Sequence, residues 1–232
     1  MSGTDPRGYW ERNAHRYDAS ARMLGKPLPR MLELVGETVA GVGRVLEVAA
    51  GTGIVTGAIA RSATEVVATD YASAMVDVLE RRVRAEGLAN VRCEQADLYD
   101  LAFDDASFDV VVAANVLHLV PDLPGALAAM RRVLGPGGRL VVPTFLHDET
   151  AVSWLVSRAL ALTGFPGQRR FTSRSLRESL ESAGLGISRF ETIPGPIPIG
   201  YAEGEWTGLT GFGDGLTGWR GALRAASPSR ER

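Results

Sequence analysis

The stretch Val45-Leu-Glu-Val-Ala-Ala-Gly-Thr-Gly-Ile54 constrains this chain more than any other. A short apolar run enters a cluster of small residues and leaves it as helix-forming sequence. It reads as strand, tight turn and helix. Small side chains let a ligand approach the backbone, and the first turn of a helix offers N–H groups without intrahelical partners. Glu47 stands inside the strand, where a carboxylate is costly to bury unpaired. It is expected to receive hydrogen bonds, either from the turn or from a ligand's cationic end.

The alternation continues downstream. Strands are predicted at 44–48, 65–69, 90–94, 108–113 and 139–144. A helix fills 54–60, and a second carries Met75, Val76, Leu79 and Val83 and ends at Gly87. Leu123, Ala126, Leu127, Met130, Val133 and Leu134 keep helical spacing, and Gly135-Pro136-Gly137-Gly138 is expected to stop that helix before the fifth strand. Runs of Val and Leu with little alternation suit parallel strands buried on both faces. After the fifth strand come an apolar helix at 151–165 and a helix capped by Thr172 or Ser173 and ended by Gly184. Two strands at 186–193 and 197–206, joined by Pro194-Gly195-Pro196, should be antiparallel neighbours. The expected fold is α/β: a Rossmann-like, doubly wound sheet of seven strands, mostly parallel, with a C-terminal antiparallel pair and a helical N-terminal cap.

Residues 1–206 are expected to form one domain, divided into the cap (1–43), a ligand-binding core (44–144) and acceptor-side helices with the final strand pair (145–206). Glycine supplies 27 of 232 residues, and six of them fall between Gly208 and Gly221, where Gly208-Leu-Thr-Gly-Phe212 recurs as Gly215-Leu-Thr-Gly-Trp219. The segment 207–232 is read as a flexible tail.

Composition narrows the partners. A formal net charge of −2 and no basic stripe argue against nucleic acid. Cys93 is the sole cysteine, so no intrachain disulfide or thiolate cluster can form. No apolar run approaches the length of a membrane span, and a cytoplasmic protein is the expectation.

The turn does not match Gly-x-Gly-x-x-Gly, because Thr56 stands where the third glycine belongs. Glu47-Val-Ala49-Ala-Gly51-Thr-Gly53 instead resembles the first motif of class I S-adenosylmethionine-dependent methyltransferases, in the small-molecule, type 11-like branch. Ala49 replaces that motif's first glycine. Alanine is compatible with binding provided the backbone there keeps φ below zero. The resemblance covers roughly residues 9–206. It implies that Asp70, 17 residues after Gly53, accepts the ribose hydroxyls, since a carboxylate suits a vicinal diol. It implies that Tyr71 and Met75 pack on the adenine and that Asp97 and the Leu98 backbone N–H read its edge. Asn115 would meet the methionine end, and Tyr17, in Arg16-Tyr17-Asp18, would close over the cofactor.

The cofactor so implied is S-adenosyl-L-methionine, leaving S-adenosyl-L-homocysteine, with no metal. Its sulfonium carries an activated methyl, so catalysis is mainly alignment with a small-molecule acceptor. His118, just beyond Asn115, has the best address for a general base among the histidines, but pocket wall is the favoured reading. Residues 1–30, the helix at 151–165 and the loop after it are expected to build the acceptor pocket. An NAD(P)-dependent oxidoreductase, or a protein that binds S-adenosylmethionine without methylating, is the competing reading.

Overall fold

In the computed structural model, which describes residues 7–14, 27–162 and 165–206, the strand–helix alternation becomes one seven-stranded sheet. Two helices precede it, α1 at residues 7–14 and α2 at Pro27–Thr38. The core follows as β1 (Arg44–Glu47), α3 (Thr56–Ala60), β2 (Glu65–Asp70), α4 (Ser73–Ala85), β3 (Val91–Gln95), β4 (Phe108–Val112), α5 (Leu123–Val133) and β5 (Leu134–Phe145). The chain continues through α6 (Ala151–Ala161), α7 (Ser173–Ser182), β6 (Leu185–Ile193) and β7 (Ile199–Trp206). The strand order is β3-β2-β1-β4-β5-β7-β6. The first five strands are parallel, and β7 runs antiparallel to both β5 and β6.

The strand runs lack alternation because both faces are covered. Val45, Val66, Val110 and Val141 pack with α2 and α3 on one face. Leu46, Val67, Val111 and Val142 pack with α5 and α7 on the other. The chain winds outward from β1 to β3 and then returns to β4 on the opposite side of β1. A crevice therefore opens at the carboxyl ends of β1 and β4, where such sheets bind ligands.

Two expectations need correction. The fifth strand begins at Leu134, not at residue 139. Leu134 pairs with Phe108 and Arg139 with Val110, so the Gly135–Gly138 run is a register break inside the strand's bounds. Gly137, at φ +71°, makes that break feasible. The helix predicted to 165 ends at Ala161. Its N-cap is Thr150, reciprocally bonded with Ser153, whereas Glu149 accepts from the Ser173 backbone N–H (2.6 Å) and hydroxyl (2.8 Å) at the start of α7. Thr172 and Ser175 form the same reciprocal cap on α7. The segment 207–232 lies outside the described residues, so the tail expectation falls there.

Gly204 allows β6 and β7 to approach, because a Cβ there would collide with the Gly186 carbonyl oxygen. Gly204→Ala should lower stability by about 1–3 kcal/mol, the usual cost of overpacking. Urea unfolding checks it, and an unchanged midpoint would contradict the tight strand contact.

Candidate functional site

The crevice holds a cavity of about 350 Å³, within the range of small-molecule sites. Each strand turn contributes to its wall. Ala49 and Gly51 come from the turn after β1, Asp70, Tyr71 and Met75 from the β2–α4 junction, Asp97 and Leu98 from beyond β3, and Asn115 from beyond β4. Glu47, Gly53 and His118 are not on that wall. Tyr17 lies outside the described residues.

The β1 turn is built from left-handed backbone. Gly51 and Gly53 have φ of +57° and +82°. Ala49 has φ of +52°, so the condition of a negative φ set for alanine here is not met. The fold thus holds a side chain where glycine is the unstrained choice, at a cost of about 1–2 kcal/mol.

Asp70 ties two turns together. Its Oδ2 accepts from the Gly51 N–H (2.9 Å) and its Oδ1 from the Ala72 N–H (3.0 Å). Burial raises its pKa above the ordinary value, while the Ala72, Gly51 and Tyr71 N–H groups pull it back down. A carboxylate has about four lone-pair sites, so capacity remains for one donor from the cavity side.

Glu47 resolves the choice left open by its sequence position. The Thr56 hydroxyl donates to its Oε2 at 2.5 Å, so the turn supplies the hydrogen bond. Burial pushes the Glu47 carboxyl up to about 8, with the Asp70 charge adding and the Thr56 bond opposing. Asp97 accepts from the Tyr99 N–H at 2.9 Å through Oδ1. Asn115 sits at φ +54°, a conformation asparagine tolerates. Its amide donates toward Met31 Sδ at 3.8 Å, and its buried Oδ1 has no partner.

The helical cap expected over residues 1–43 reaches the site through α1, although the sequence did not single out Arg7 or Glu11. Arg7 and Trp10 line the cavity, and Trp10 meets Tyr9 and Phe165 edge-on at 5.0 and 6.1 Å between centroids. Glu11 accepts from the Ser73 and Ala74 N–H groups at 2.8 and 2.9 Å. It thereby caps α4, whose own N-cap residue, Ala72, has no side-chain acceptor. An acidic residue 62 positions from the helix it caps leaves no local sequence signal. The apolar helix α6 contributes no side chain to the wall, although Pro166 beyond it does. Val152, Trp154 and Leu155 are exposed, whereas Ser153 and Ser157 face inward and are buried. Arg169, in the following loop, donates to the Val120 and Pro121 carbonyls and braces the loop after β4.

His118 is buried, 1% exposed, and burial holds its pKa well below the ordinary value. Among the described residues, no three or more His, Cys, Asp or Glu side chains form a group suited to a metal ion.

A strand-end crevice with a glycine turn and a buried acidic grip defines a doubly wound, nucleoside-binding domain. The Methyltransferase domain family model matches residues 46–142. The demethylmenaquinone methyltransferase of Mycobacterium sp. (strain KMS) is 31% identical over 211 residues, covering 85% of this chain and 86% of that protein. The ubiquinone/menaquinone biosynthesis C-methyltransferase UbiE of Idiomarina loihiensis is 37% identical over 145 residues, 60% of this chain, and the match spans 58% of that relative's length. A solved S-adenosylmethionine-dependent methyltransferase from Aquifex aeolicus shares the fold, with a TM-score of 0.65, 19% identity and coverage of 84% of this chain and 98% of that one. The chain belongs to the class I S-adenosylmethionine-dependent methyltransferase family, in its type 11-like branch.

Two outcomes test the geometry of the turn. Ala49→Gly should raise stability by up to about 1 kcal/mol, since relief of left-handed strain exceeds the entropy cost of glycine. A drop in the urea midpoint would contradict the strain at Ala49. Glu47 holds its proton in the folded state to about pH 8, against an ordinary value of 4.5. The folded chain binds the proton more tightly, so this contribution is full below about pH 4.5 and is lost as pH rises through about 8. Glu47→Gln should flatten that decline. Urea midpoints from acid to mildly alkaline pH measure it, and parallel curves for the two proteins would refute a protonated Glu47.

Proposed function

We propose that this chain, with residues 1–206 as one methyltransferase domain, transfers a methyl group from S-adenosyl-L-methionine to a small-molecule acceptor. The observation that carries the reading is the cavity at the β1–β4 strand ends, with Asp70 on one side and the unpartnered Asn115 Oδ1 on the other. Both features suit the cofactor. Asp70 has room for a ribose hydroxyl, and Asn115 Oδ1 offers an acceptor to an ammonium group. Ala49 and Gly51 keep the wall low where a nucleoside must pass. Tyr71 and Met75 offer flat and soft apolar surface for a base, and Asp97 retains an oxygen for an exocyclic amine.

The bound cofactor supplies a methyl group activated by its sulfonium. The chain's own part is positioning: holding donor and acceptor in line and keeping water out. Trp10 on α1 covers the cavity, held there by the Glu11 cap on α4. Leu119, Val120, Pro121 and Pro166 give the acceptor side an apolar wall. Relatives whose names specify quinone methylation support a ring-bearing acceptor. His118 stands behind the acceptor-side wall and is not assigned to proton abstraction, because a buried imidazole with so low a pKa is a weak base. A cytoplasmic setting accords with the single cysteine, Cys93, and with the lack of any described helix long and apolar enough to cross a membrane.

Methyl-labelled S-adenosylmethionine incubated with the protein and pools of small aromatic and enolic compounds should yield one labelled product, identified by mass. No labelled product alongside tight cofactor binding would overturn the transfer reading. Asp70→Asn should weaken S-adenosylhomocysteine binding by about 1.5–3 kcal/mol, the value of a hydrogen bond to a charged group. Calorimetry measures it, and unchanged affinity would remove Asp70 from the site.

A further inference from the structure

Among the described residues, four buried side-chain polar atoms have no hydrogen-bond partner: Asn115 Oδ1, His118 Nδ1, Thr144 Oγ1 and His147 Nε2. Native structures hold few such atoms, and each costs about 1–3 kcal/mol when left unsatisfied. All four arise at the carboxyl ends of the neighbouring strands β4 and β5. Of the four, Asn115 lines the cavity, and His118 lies three residues beyond it, next to the cavity-lining Leu119. The His118 and His147 rings lie 5.0 Å apart between centroids. Phe165 stands parallel to His118 at 6.1 Å, and Phe145 meets it edge-on at 5.8 Å.

The two contacts of Ser157 bear on the His147 tautomer. Ser157, on the inward face of α6, donates to the His147 carbonyl oxygen at 3.3 Å and lies 2.7 Å from His147 Nδ1. A hydroxyl has one proton. With that proton given to the carbonyl, Ser157 Oγ accepts from Nδ1–H, and Nε2 carries a bare lone pair. Burial brings the His147 pKa down to about 4, with Arg170 adding and Asp148 opposing. Burial, with the His147 charge adding, also holds His118 neutral near pH 7. Two neutral imidazoles beside aromatic rings suit a flat ligand with an O–H group. They offer no formal charge to a carboxylate.

We propose that His147 Nε2, with the His118 ring beside it, accepts a hydrogen bond from the hydroxyl of a neutral hydroxylated aromatic acceptor. Ser157 is a positioning residue that acts through His147 by fixing its tautomer. The inference rests on the methyl-transfer reading of the adjoining cavity, and it names the chemical class of the acceptor and the group that orients it.

Hydroquinone is the probe, and 1,4-dimethoxybenzene, with the ring but no O–H, is its control. The full chain, with ¹⁵N-labelled histidine and saturated with S-adenosylhomocysteine, is titrated with each compound while the His147 nitrogens are followed by NMR. Hydroquinone should move the unprotonated Nε2 resonance, and dimethoxybenzene should leave it in place. His147→Asn should weaken hydroquinone about tenfold or more, equivalent to about 1.4 kcal/mol, with S-adenosylhomocysteine affinity unchanged. An equal response to both compounds, no response to hydroquinone, or full affinity in His147→Asn would overturn the proposal. The wild-type titrations stand even if the variant fails to fold. Failure of the wild type to bind S-adenosylhomocysteine would instead overturn the reading beneath it.

Discussion

The Asp70 carboxylate holds the site in shape before any ligand arrives. It sits at the end of β2 and accepts N–H groups from two different turns, one after β1 and one leading into α4. Neither turn is stiff by itself. The first contains three residues in left-handed conformation, one of them alanine, and α4 lacks a local side-chain cap. Glu11 supplies the missing cap from α1 and so draws Trp10 over the cavity. Two carboxylates, both accepting backbone N–H groups, thus register the nucleoside cradle and its cover against the same helix.

Charge is managed by burial elsewhere in the site. Glu47 lies behind the turn, shielded and bonded to Thr56, and keeps its proton at neutral pH. His118 and His147 lose theirs. The site therefore presents two carboxylates held by backbone N–H groups, Asp70 and Asp97, and a neutral polar patch beyond Asn115. That division suits a cofactor with a diol at one end and an uncharged acceptor at the other.

Much of the fold was legible because its signals are local. Unalternating valines, the helical spacing from Leu123 to Val133 and glycines at helix ends each depend on a few neighbouring residues. The cavity wall was legible for a related reason, since a doubly wound sheet brings the carboxyl ends of its strands to one crevice. Asp70, Asp97 and Asn115 meet there although scattered in sequence. The failures are non-local or stereochemical. The φ of Ala49 is imposed by the turn and not by alanine's preference. Glu11 caps a helix far along the chain, and α6 hides serines while exposing Trp154 and Leu155, which a count of apolar residues reads the wrong way round. His118 was singled out by address, but its contact with His147, which in turn bonds Ser157, depends on where α6 brings that serine.

The central claim is that the β1–β4 crevice is a cradle for S-adenosylmethionine and not for a dinucleotide. Thermal unfolding of the full chain with saturating S-adenosylhomocysteine or with NAD(H) tests it directly, because a ligand stabilises the state it binds. The account predicts a rise in melting temperature that scales with S-adenosylhomocysteine concentration and no change with NAD(H). Stabilisation by NAD(H) without any by S-adenosylhomocysteine would contradict it.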